Sequence, residues 1–350
     1  MFSTSNFSEV ELSQAAQKAQ HLRERLQWAY KGDGLPGKSS SSLEDLTLNS
    51  SLLEVLDANL RQSNLSDSDL AGWLKQVEED RQSIENRQPS SVSLDSLIGV
   101  NGLARPSERS LREFMSFFAE LDLLCFLESA LAFPEWFSGL RLADLGTLLD
   151  LNLLAAGLGA SNLEGGVRVL EVGGGYGRLA EGAYAVFGSA IENYVMIDAV
   201  PSSICAAFEY LSGPANMSSM VSLAQDGPVS QTGVNILPSW NTEGIEALGK
   251  FDVFVNVESF QEMTTEAVQD YLALADRHLR DGGVALLSNS RSYINKDEWS
   301  WPPTWRLALS SETPRSWTIQ HPTQVWVKGE DKRNVLEEIA AYTQRPWKQL

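Results

Sequence analysis

The stretch Val167-Arg-Val-Leu-Glu-Val-Gly-Gly-Gly-Tyr-Gly177 decides the fold of this chain. Its first six residues are rich in β-branched and aliphatic side chains, which favours a short buried strand. The glycines that follow permit a sharp turn from the strand into a helix, and they let a ligand approach the backbone closely. A strand, a glycine loop and a helix in this order are typical of a parallel α/β sheet.

Strand-like and helical segments alternate after this stretch. We predict strands at 193–198, 234–237, 251–257 and 284–288, a helix over 265–279, and a turn at Asp281-Gly-Gly. Such alternation indicates a doubly wound, Rossmann-like α/β sheet, and we predict one of seven strands. In these sheets ligands bind beyond the carboxyl ends of the strands.

The first part of the chain has a different pattern. We predict that residues 1–160 form a mainly helical region, with helices over 9–30, 43–60 and 67–87 and another from about 107, because apolar residues recur at three- and four-residue spacing. We expect this region to act as a lid or as a homodimer surface. Residues 161–350 form the predicted ligand-binding domain.

Composition and charge narrow the classes of partner. The chain has 350 residues, of which 43% are hydrophobic, and its formal net charge is −19. So acidic a surface repels phosphate backbones and anionic lipids, so we expect neither nucleic acid nor membrane as a partner. The first residues lack the regions of a signal peptide and the two cysteines form no disulfide framework, so we expect a cytoplasmic protein.

The glycine loop fits two kinds of cofactor. Gly175, Gly177 and Ala180 match a dinucleotide fingerprint, and Asp198 at the end of the next strand suits the ribose of either cofactor. Glu171 separates the two interpretations, because its carboxylate would repel a pyrophosphate. S-adenosylmethionine instead brings an ammonium and a sulfonium to the loop, so an acidic neighbour favours it.

Four motifs together resemble the class I S-adenosylmethionine-dependent methyltransferases. They are the loop Glu171–Gly177, Asp198, Phe251-Asp-Val-Phe-Val and Leu279-Arg-Asp-Gly-Gly. The resemblance implies S-adenosyl-L-methionine as the cofactor, with the methionine end at the glycines, the ribose at Asp198 and the adenine beside Ser239 and Trp240. The cofactor-binding residues that we predict are Glu171, Gly173, Gly174, Gly175, Gly177, Asp198, Ala199, Ser239, Trp240 and Asn256.

A narrower resemblance concerns the acceptor. Asn256-Val-Glu-Ser-Phe-Gln-Glu-Met263 and the tail Glu337–Trp347 are similar to the sugar O-methyltransferases of bacterial glycan clusters. That family carries an asparagine–arginine pair after the fifth strand, whereas here one residue separates Asn289 from Arg291. The implied acceptor is a sugar hydroxyl of a glycan or nucleotide sugar. The substrate-binding residues that we predict are Asn289, Arg291, Tyr293, Trp299 and Trp301.

A sugar hydroxyl is a poor acid, so its methylation calls for a positioned base. Glu258 and Glu262 follow a predicted strand and are four residues apart, so a helical turn would place them on one face. We predict Glu262 as the base, with Glu258 beside it and His321 as the second choice. We predict no dedicated metal site, because the sequence has no ligand spacing of that type.

Two alternatives remain open at this level. The same cofactor would serve a methyltransferase that acts on a small-molecule or natural-product hydroxyl or amine. A protein of another class would bind the cofactor without catalysis and use its helical half for interaction with partners. Product formation with a panel of acceptors distinguishes the enzymes from the binding protein.

Overall fold

The computed structural model describes residues 50–62, seven positions between 146 and 158, residues 166–289 apart from 214, 216 and 228, and residues 299–314 and 320–329. The seven positions are 146, 147, 150, 151, 153, 154 and 158. The predicted helices over 9–30 and 67–87 and from 107 lie outside the described residues, as does the tail from Glu337. The predicted helix over 43–60 corresponds to helix α1 at Ser50–Gln62.

The described positions between 146 and 158 are helical, and eight strands and four further helices with complete bounds follow them. The strands are β1 (Val167–Val172), β2 (Ile191–Asp198), β3 (Val221–Leu223), β4 (Gly233–Pro238), β5 (Phe251–Val257), β6 (Leu279–Ser288), β7 (Trp305–Pro314) and β8 (Gln320–Lys328). The helices are α2 (Arg178–Phe187), α3 (Pro201–Ser212), α4 (Thr242–Glu246) and α5 (Thr265–His278). Turns of 3₁₀ helix lie at Gly188–Ala190 and Phe260–Glu262.

The strands form one sheet in the order β3-β4-β2-β1-β5-β6-β8-β7. Strands β1 to β6 pair in parallel, and β8 is antiparallel to both β6 and β7. The chain moves from β1 toward one edge and then returns to β5 on the other side of β1. The loops after β1 and β5 therefore run in opposite directions along the sheet. They leave a crevice between them at the carboxyl ends of these strands, where ligands bind in such sheets.

The predicted parallel, doubly wound sheet is confirmed, but the number of strands is eight and not seven. The additional strand is β3, which has three residues and pairs only with β4. A strand this short carries no periodic signal, so its sequence did not reveal it. The predicted turn at Asp281-Gly-Gly is wrong as well, since these residues lie within β6. There the pairing with β5 shifts register between Phe251 and Val253.

The core lies between the sheet and its helices. Phe251, Phe254 and Phe260 are all buried in a cluster that extends to Trp299, Trp305 and Trp326. Part of the preceding region packs on this domain, because Leu56 and Leu60 of α1 are fully buried and α1 contacts α3. No helix within the described ranges is long and apolar enough to span a membrane.

Asp276 joins the end of α5 to the two final strands. Its Oδ1 accepts hydrogen bonds from the Thr304 hydroxyl at 2.7 Å and the Trp305 indole at 3.0 Å, and it lies 3.4 Å from Lys328 Nζ. Partial burial alone would raise the pKa of Asp276. The Thr304 hydroxyl, the Lys328 ammonium and the Trp305 indole outweigh burial and lower this pKa.

We expect Asp276→Ala to lower the free energy of unfolding by roughly 1–3 kcal/mol at pH 7, since it removes hydrogen bonds to a charged acceptor. A carboxyl group whose pKa is lower in the folded state stabilises above its unfolded pKa, and this contribution disappears as the pH falls through the folded pKa. The difference from the parent should therefore shrink in acid. Urea unfolding at several pH values measures it, with Asp270→Ala on the exposed face of α5 as the control.

Candidate functional site

The glycine loop, residues 173–177, connects β1 to α2 and packs against the ends of two neighbouring strands. The Gly173 N–H donates to the carbonyl of Ile197 in β2 at 2.8 Å. A Cβ at Gly173 would lie 1.8 Å from Ser259 Oγ, and the φ angle of Gly173 is +73°. Among the described residues, nothing beyond its two chain neighbours lies within 4 Å of a Cβ built on Gly175, whose φ angle is +55°. The loop is therefore closely packed at Gly173 and open at Gly175.

Asp198 ends β2 below this loop and is buried, with 9% of its surface exposed. The Val200 N–H donates to its Oδ1 at 2.9 Å, and the backbone N–H groups of Gly175 and Ala199 also bond to this carboxyl group. Burial raises the pKa of Asp198 to about 6, although the three N–H groups favour the ionised form. The structure thus joins the glycine loop to the end of β2 through one carboxylate.

Glu171 lies within β1 and is buried, with its Oε2 accepting a hydrogen bond from the Tyr194 hydroxyl at 2.8 Å. Burial raises its pKa to about 7, the Tyr194 hydroxyl and Arg178 oppose this shift, and the carboxylates of Asp150 and Asp198 add to it. A Cβ on Gly174 would come within 3.0 Å of Glu171 Oε2. Glu171 therefore lies directly beneath the glycine loop, where its sequence position predicts it.

The acidic turn, residues 258–262, follows β5 and faces the glycine loop. Glu258 has a φ angle of +59°, which is rare for a residue with a side chain, and its N–H donates to the Ser288 carbonyl at 2.7 Å. Glu262 is exposed, yet desolvation together with the charges of Asp198 and Glu258 raises its pKa to about 7. A side chain in a cleft can keep contact with water while protein atoms surround its carboxyl group.

Arg178 is the first residue of α2 and the cation of this site. One of its terminal nitrogens donates to the Thr147 hydroxyl, and its pKa is raised. Desolvation opposes that rise, but the charges of Asp150, Glu258 and Glu171 outweigh it. Arg178 opposes the raised pKa of Glu171, whereas no cation is among the causes of the pKa shifts of Asp198 and Glu262. Carboxyl groups therefore outnumber cations in the described part of this site.

Ser239 and Trp240 follow β4 beside the end of β2, where the Ser239 N–H donates to the Asp198 carbonyl at 2.8 Å. Buried polar atoms that lack a hydrogen-bond partner in the described structure include Ser239 Oγ and Trp240 Nε1. Leaving such atoms unpaired is costly, so each is a candidate for contact with a ligand. The structure thus brings two of the predicted cofactor residues close to Asp198.

The residues predicted for the acceptor separate into three groups. Trp299 is only 5% exposed, and its ring packs edge-on against Phe260 with centroids 5.8 Å apart. The expected stacking of a sugar on Trp299 is therefore corrected, because core residues cover this ring. Trp301 is partly exposed and stacks on Trp326 at 4.5 Å. Arg291 and Tyr293 lie outside the described residues.

Asn289 and Asn256 are buried, with 1% and 0% of their surfaces exposed. Their amide groups bond to protein atoms, so neither side chain is open to a ligand from solvent. His321 lies in β8, and its backbone pairs with Thr313 in β7. It is two residues from Thr323, which pairs with Ser288 at the end of β6. The backbone of His321 is therefore at the edge of the sheet that bears the site.

Several residues of this site were not predicted as functional from the sequence. Arg178 directly follows the glycine loop, and this position is the one local signal that pointed to it. Ser259 lies in the motif Asn256–Met263 but was assigned no role, and Tyr194 had no local signal, because their contacts with Gly173 and Glu171 join distant parts of the chain. Among the described residues, no group of three or more histidine, cysteine, aspartate or glutamate side chains is arranged to hold a metal ion.

In comparisons with known proteins, this chain is similar to solved structures. No family model and no curated protein matches the sequence. Similar solved structures include TrmN of Thermus thermophilus, with 17% identity and a TM-score of 0.38 over 52% of this chain and 48% of that one. The O-methyltransferase TomG of Streptomyces achromogenes, solved with S-adenosylmethionine, gives 15% identity and a TM-score of 0.36 over 54% and 81%.

The magnesium protoporphyrin IX methyltransferase of Synechocystis PCC 6803 gives 13% identity and a TM-score of 0.34 over 52% of this chain and 84% of that protein. The present chain spans about half the length of TrmN. The activities of these proteins are not assigned to this chain, and its chemistry is inferred from its own residues.

Proposed function

We propose that this protein is an S-adenosylmethionine-dependent methyltransferase that transfers a methyl group to a hydroxyl of a sugar. The gathering of carboxyl groups around the glycine loop at the strand ends is the observation that carries the proposal. Burial is the main cause of the raised pKa values of Glu171, Asp198 and Glu262, and neighbouring carboxylates add to it at Glu171 and Glu262. A cation bound near these groups would favour their ionised forms, whereas the pyrophosphate of a dinucleotide would oppose ionisation further.

The residues present fit this cofactor. The open space at Gly175 accommodates a ligand against the backbone, and Asp198 has a carboxylate that can accept hydrogen bonds from ribose hydroxyls. Ser239 Oγ and the Trp240 indole N–H would give the adenine end two polar partners. When bound, the cofactor supplies a methyl group on a cationic sulfur. The protein then has to orient the acceptor and to remove its proton.

Glu262 is the residue that we assign to proton removal. A general base acts best when its pKa lies near the working pH, and the pKa of Glu262 is raised to about 7. Glu258 is next to it in the acidic turn and contributes to that shift. An acceptor with a neutral hydroxyl enters this site without electrostatic repulsion, whereas the carboxylates would repel a polyanion.

The sugar is supported by the resemblance of residues 256–263 and of the tail to the sugar O-methyltransferases. The partly exposed Trp301, which stacks on Trp326, offers an aromatic surface. An amine acceptor is the second candidate, because the carboxylates would also attract an ammonium group. A panel of neutral sugars, nucleotide sugars, small amines and RNA, assayed with labelled S-adenosylmethionine, distinguishes them. Methylation of RNA or amines alone would overturn the sugar assignment.

Two glycine variants, one at the site and one as its control, test the cofactor assignment. S-adenosylhomocysteine should raise the melting temperature of the parent, whereas NAD should leave it unchanged. Gly175→Ala should weaken S-adenosylhomocysteine binding by roughly 1–3 kcal/mol, about 5- to 150-fold, because the new Cβ enters the ligand's space. Calorimetry measures this change.

Gly188→Ala is the control for Gly175→Ala. Gly188 also has a φ angle of +55°, and among the described residues nothing beyond its chain neighbours lies within 4 Å of a built Cβ, but it follows α2 away from the strand ends. The positive φ angle disfavours alanine at Gly188 as well, and Gly188→Ala should keep parental affinity. Stabilisation of the parent by NAD, or equal affinities in the two variants, would contradict the proposed cofactor site.

A further inference from the structure

Two buried asparagines connect the ends of β5 and β6. Asn256 is in β5 and Asn289 directly follows β6, and the Asn289 Nδ2 donates to Asn256 Oδ1 at 2.9 Å. Both are at most 1% exposed, so water does not compete for their amide groups. A buried amide group destabilises the folded state unless its hydrogen bonds are satisfied.

Asn256 also joins the glycine loop to the acidic turn. Its Nδ2 donates at 2.9 Å to the carbonyl of Val172, the residue directly before Gly173. Its Oδ1 accepts from the Phe260 N–H at 3.2 Å. The orientation of this amide follows from its partners, since a carbonyl only accepts and a backbone N–H only donates. One side chain therefore bridges the cofactor side and the acceptor side of the crevice.

Asn289 holds the acidic turn at a second point. Its Oδ1 accepts from the Gln261 N–H at 3.3 Å, directly before Glu262. The turn needs such restraints, because Glu258 has a φ angle of +59°. A residue with a side chain adopts this conformation only where surrounding contacts enforce it. Two backbone N–H groups of the turn thus depend on the two asparagines.

We propose that Asn256 and Asn289 form a positioning pair that fixes the acidic turn against the glycine loop, so that Glu262 faces the methyl donor at a set distance. This role differs from the direct cofactor and substrate contacts that their sequence positions predict. The expected effect of the pair on catalysis rests on the proposed function. The expected restraint of the acidic turn does not depend on that function.

Asn289→Ala tests the pair, with Thr323→Val as the matched control. The control removes the neighbouring buried hydrogen bond between Ser288 Oγ and Thr323 Oγ1, 2.7 Å long, and leaves the side-chain acceptors of the Phe260 and Gln261 N–H groups in place. In Asn289→Ala, amide exchange at Phe260 and Gln261 should accelerate about tenfold or more. Gln261 loses its acceptor, and Asn256 Oδ1, the acceptor of Phe260, loses its hydrogen bond to Asn289. Thr323→Val should leave these two rates at parental values.

Activity provides the second readout. In Asn289→Ala, kcat on an acceptor that the parent methylates should fall by about tenfold or more, because misplacement of a reacting group is costly. The S-adenosylhomocysteine affinity should stay within about threefold, because the glycine loop keeps its own hydrogen bonds. The rise of kcat with pH should also move to lower pH as the Glu262 carboxyl group becomes more hydrated and moves away from Asp198.

Asn289→Asp, which preserves the shape of the side chain, is the second variant if the alanine variant does not fold. When ionised, it retains the acceptor for Gln261 and loses the donor to Asn256, so Phe260 should exchange faster than Gln261 at a pH above the pKa of the new carboxyl group. Unchanged exchange in the turn, or faster exchange with parental kcat, would overturn the positioning role. If the parent methylates no acceptor, the proposed function fails, and the exchange rates alone then support or overturn the restraint of the turn.

Discussion

Gly173→Ala is expected to abolish measurable binding of S-adenosylhomocysteine and to lower the free energy of unfolding by about 2–5 kcal/mol. Two causes combine at this position. The φ angle of +73° disfavours any side chain, and the new Cβ would lie 1.8 Å from Ser259 Oγ and 2.2 Å from Ser259 Cβ. The glycine loop or the acidic turn must therefore move. Urea unfolding and calorimetry measure the two effects.

The double variant Gly173→Ala/Ser259→Gly separates these causes. With the Ser259 side chain removed, the nearest remaining atom of that residue is its Cα at 3.7 Å, an ordinary contact. The double variant should recover the steric part, roughly 1–3 kcal/mol, and keep the cost of the φ angle. If it is no more stable than Gly173→Ala, the contact between the loop and the turn does not cause the loss.

Glu262→Gln is expected to lower turnover on a sugar acceptor by about 10²–10⁴, the usual contribution of a general base. Glutamine keeps the shape of the side chain and removes its capacity to accept a proton. Affinity for S-adenosylhomocysteine should stay within about threefold, because we assign Glu262 to the acceptor and not to the nucleoside. Steady-state kinetics and calorimetry on the same preparation make this comparison.

Two further variants are the controls for Glu262→Gln. Glu258→Gln should cost less turnover, because we assign that residue a supporting role in the acidic turn. His321→Ala tests the competing base, and a larger loss there than in Glu262→Gln would move the assignment to the histidine. If all three variants keep parental turnover, no side chain limits proton removal and the catalytic assignments fail.

The pH dependence of stability gives an independent check on Glu262. Its pKa is about 7 in the folded state and 4.5 for an ordinary glutamate, so between these values the folded protein holds a proton that the unfolded chain has released. Stability therefore falls as the pH rises through this window, and the penalty persists above it. Glu262→Gln should raise the melting temperature at pH 8 and have little effect at pH 4.

The sequence predicted the local parts of this structure well. The strands at 167–172 and 251–257 and the helix from 265 have the predicted boundaries to within one residue. Apolar runs between glycines and helical segments specify such elements without distant partners. The homodimer, the lid and the two-domain division stay predictions, since most of residues 1–160 lie outside the described part.

The prediction was weaker wherever a role depended on burial. Trp299 follows the strand that was expected to face the acceptor, yet the structure packs its ring against Phe260. Asn256 and Asn289 are thirty-three positions apart and bond to each other at 2.9 Å. Their chemistry is visible in the sequence, but which partner satisfies each amide depends on how β5 and β6 pair.

The sequence by itself determined the parallel sheet, the glycine loop and the presence of Glu171 and Asp198 at strand ends, because these features depend on neighbouring residues and on the edge that parallel strands share. Only the tertiary structure decided that Glu171 and Glu262 have pKa values near 7 and that Asn256 links the two sides of the crevice. A pKa depends on desolvation and on charges brought together by folding, and neither quantity is encoded in a local stretch of sequence.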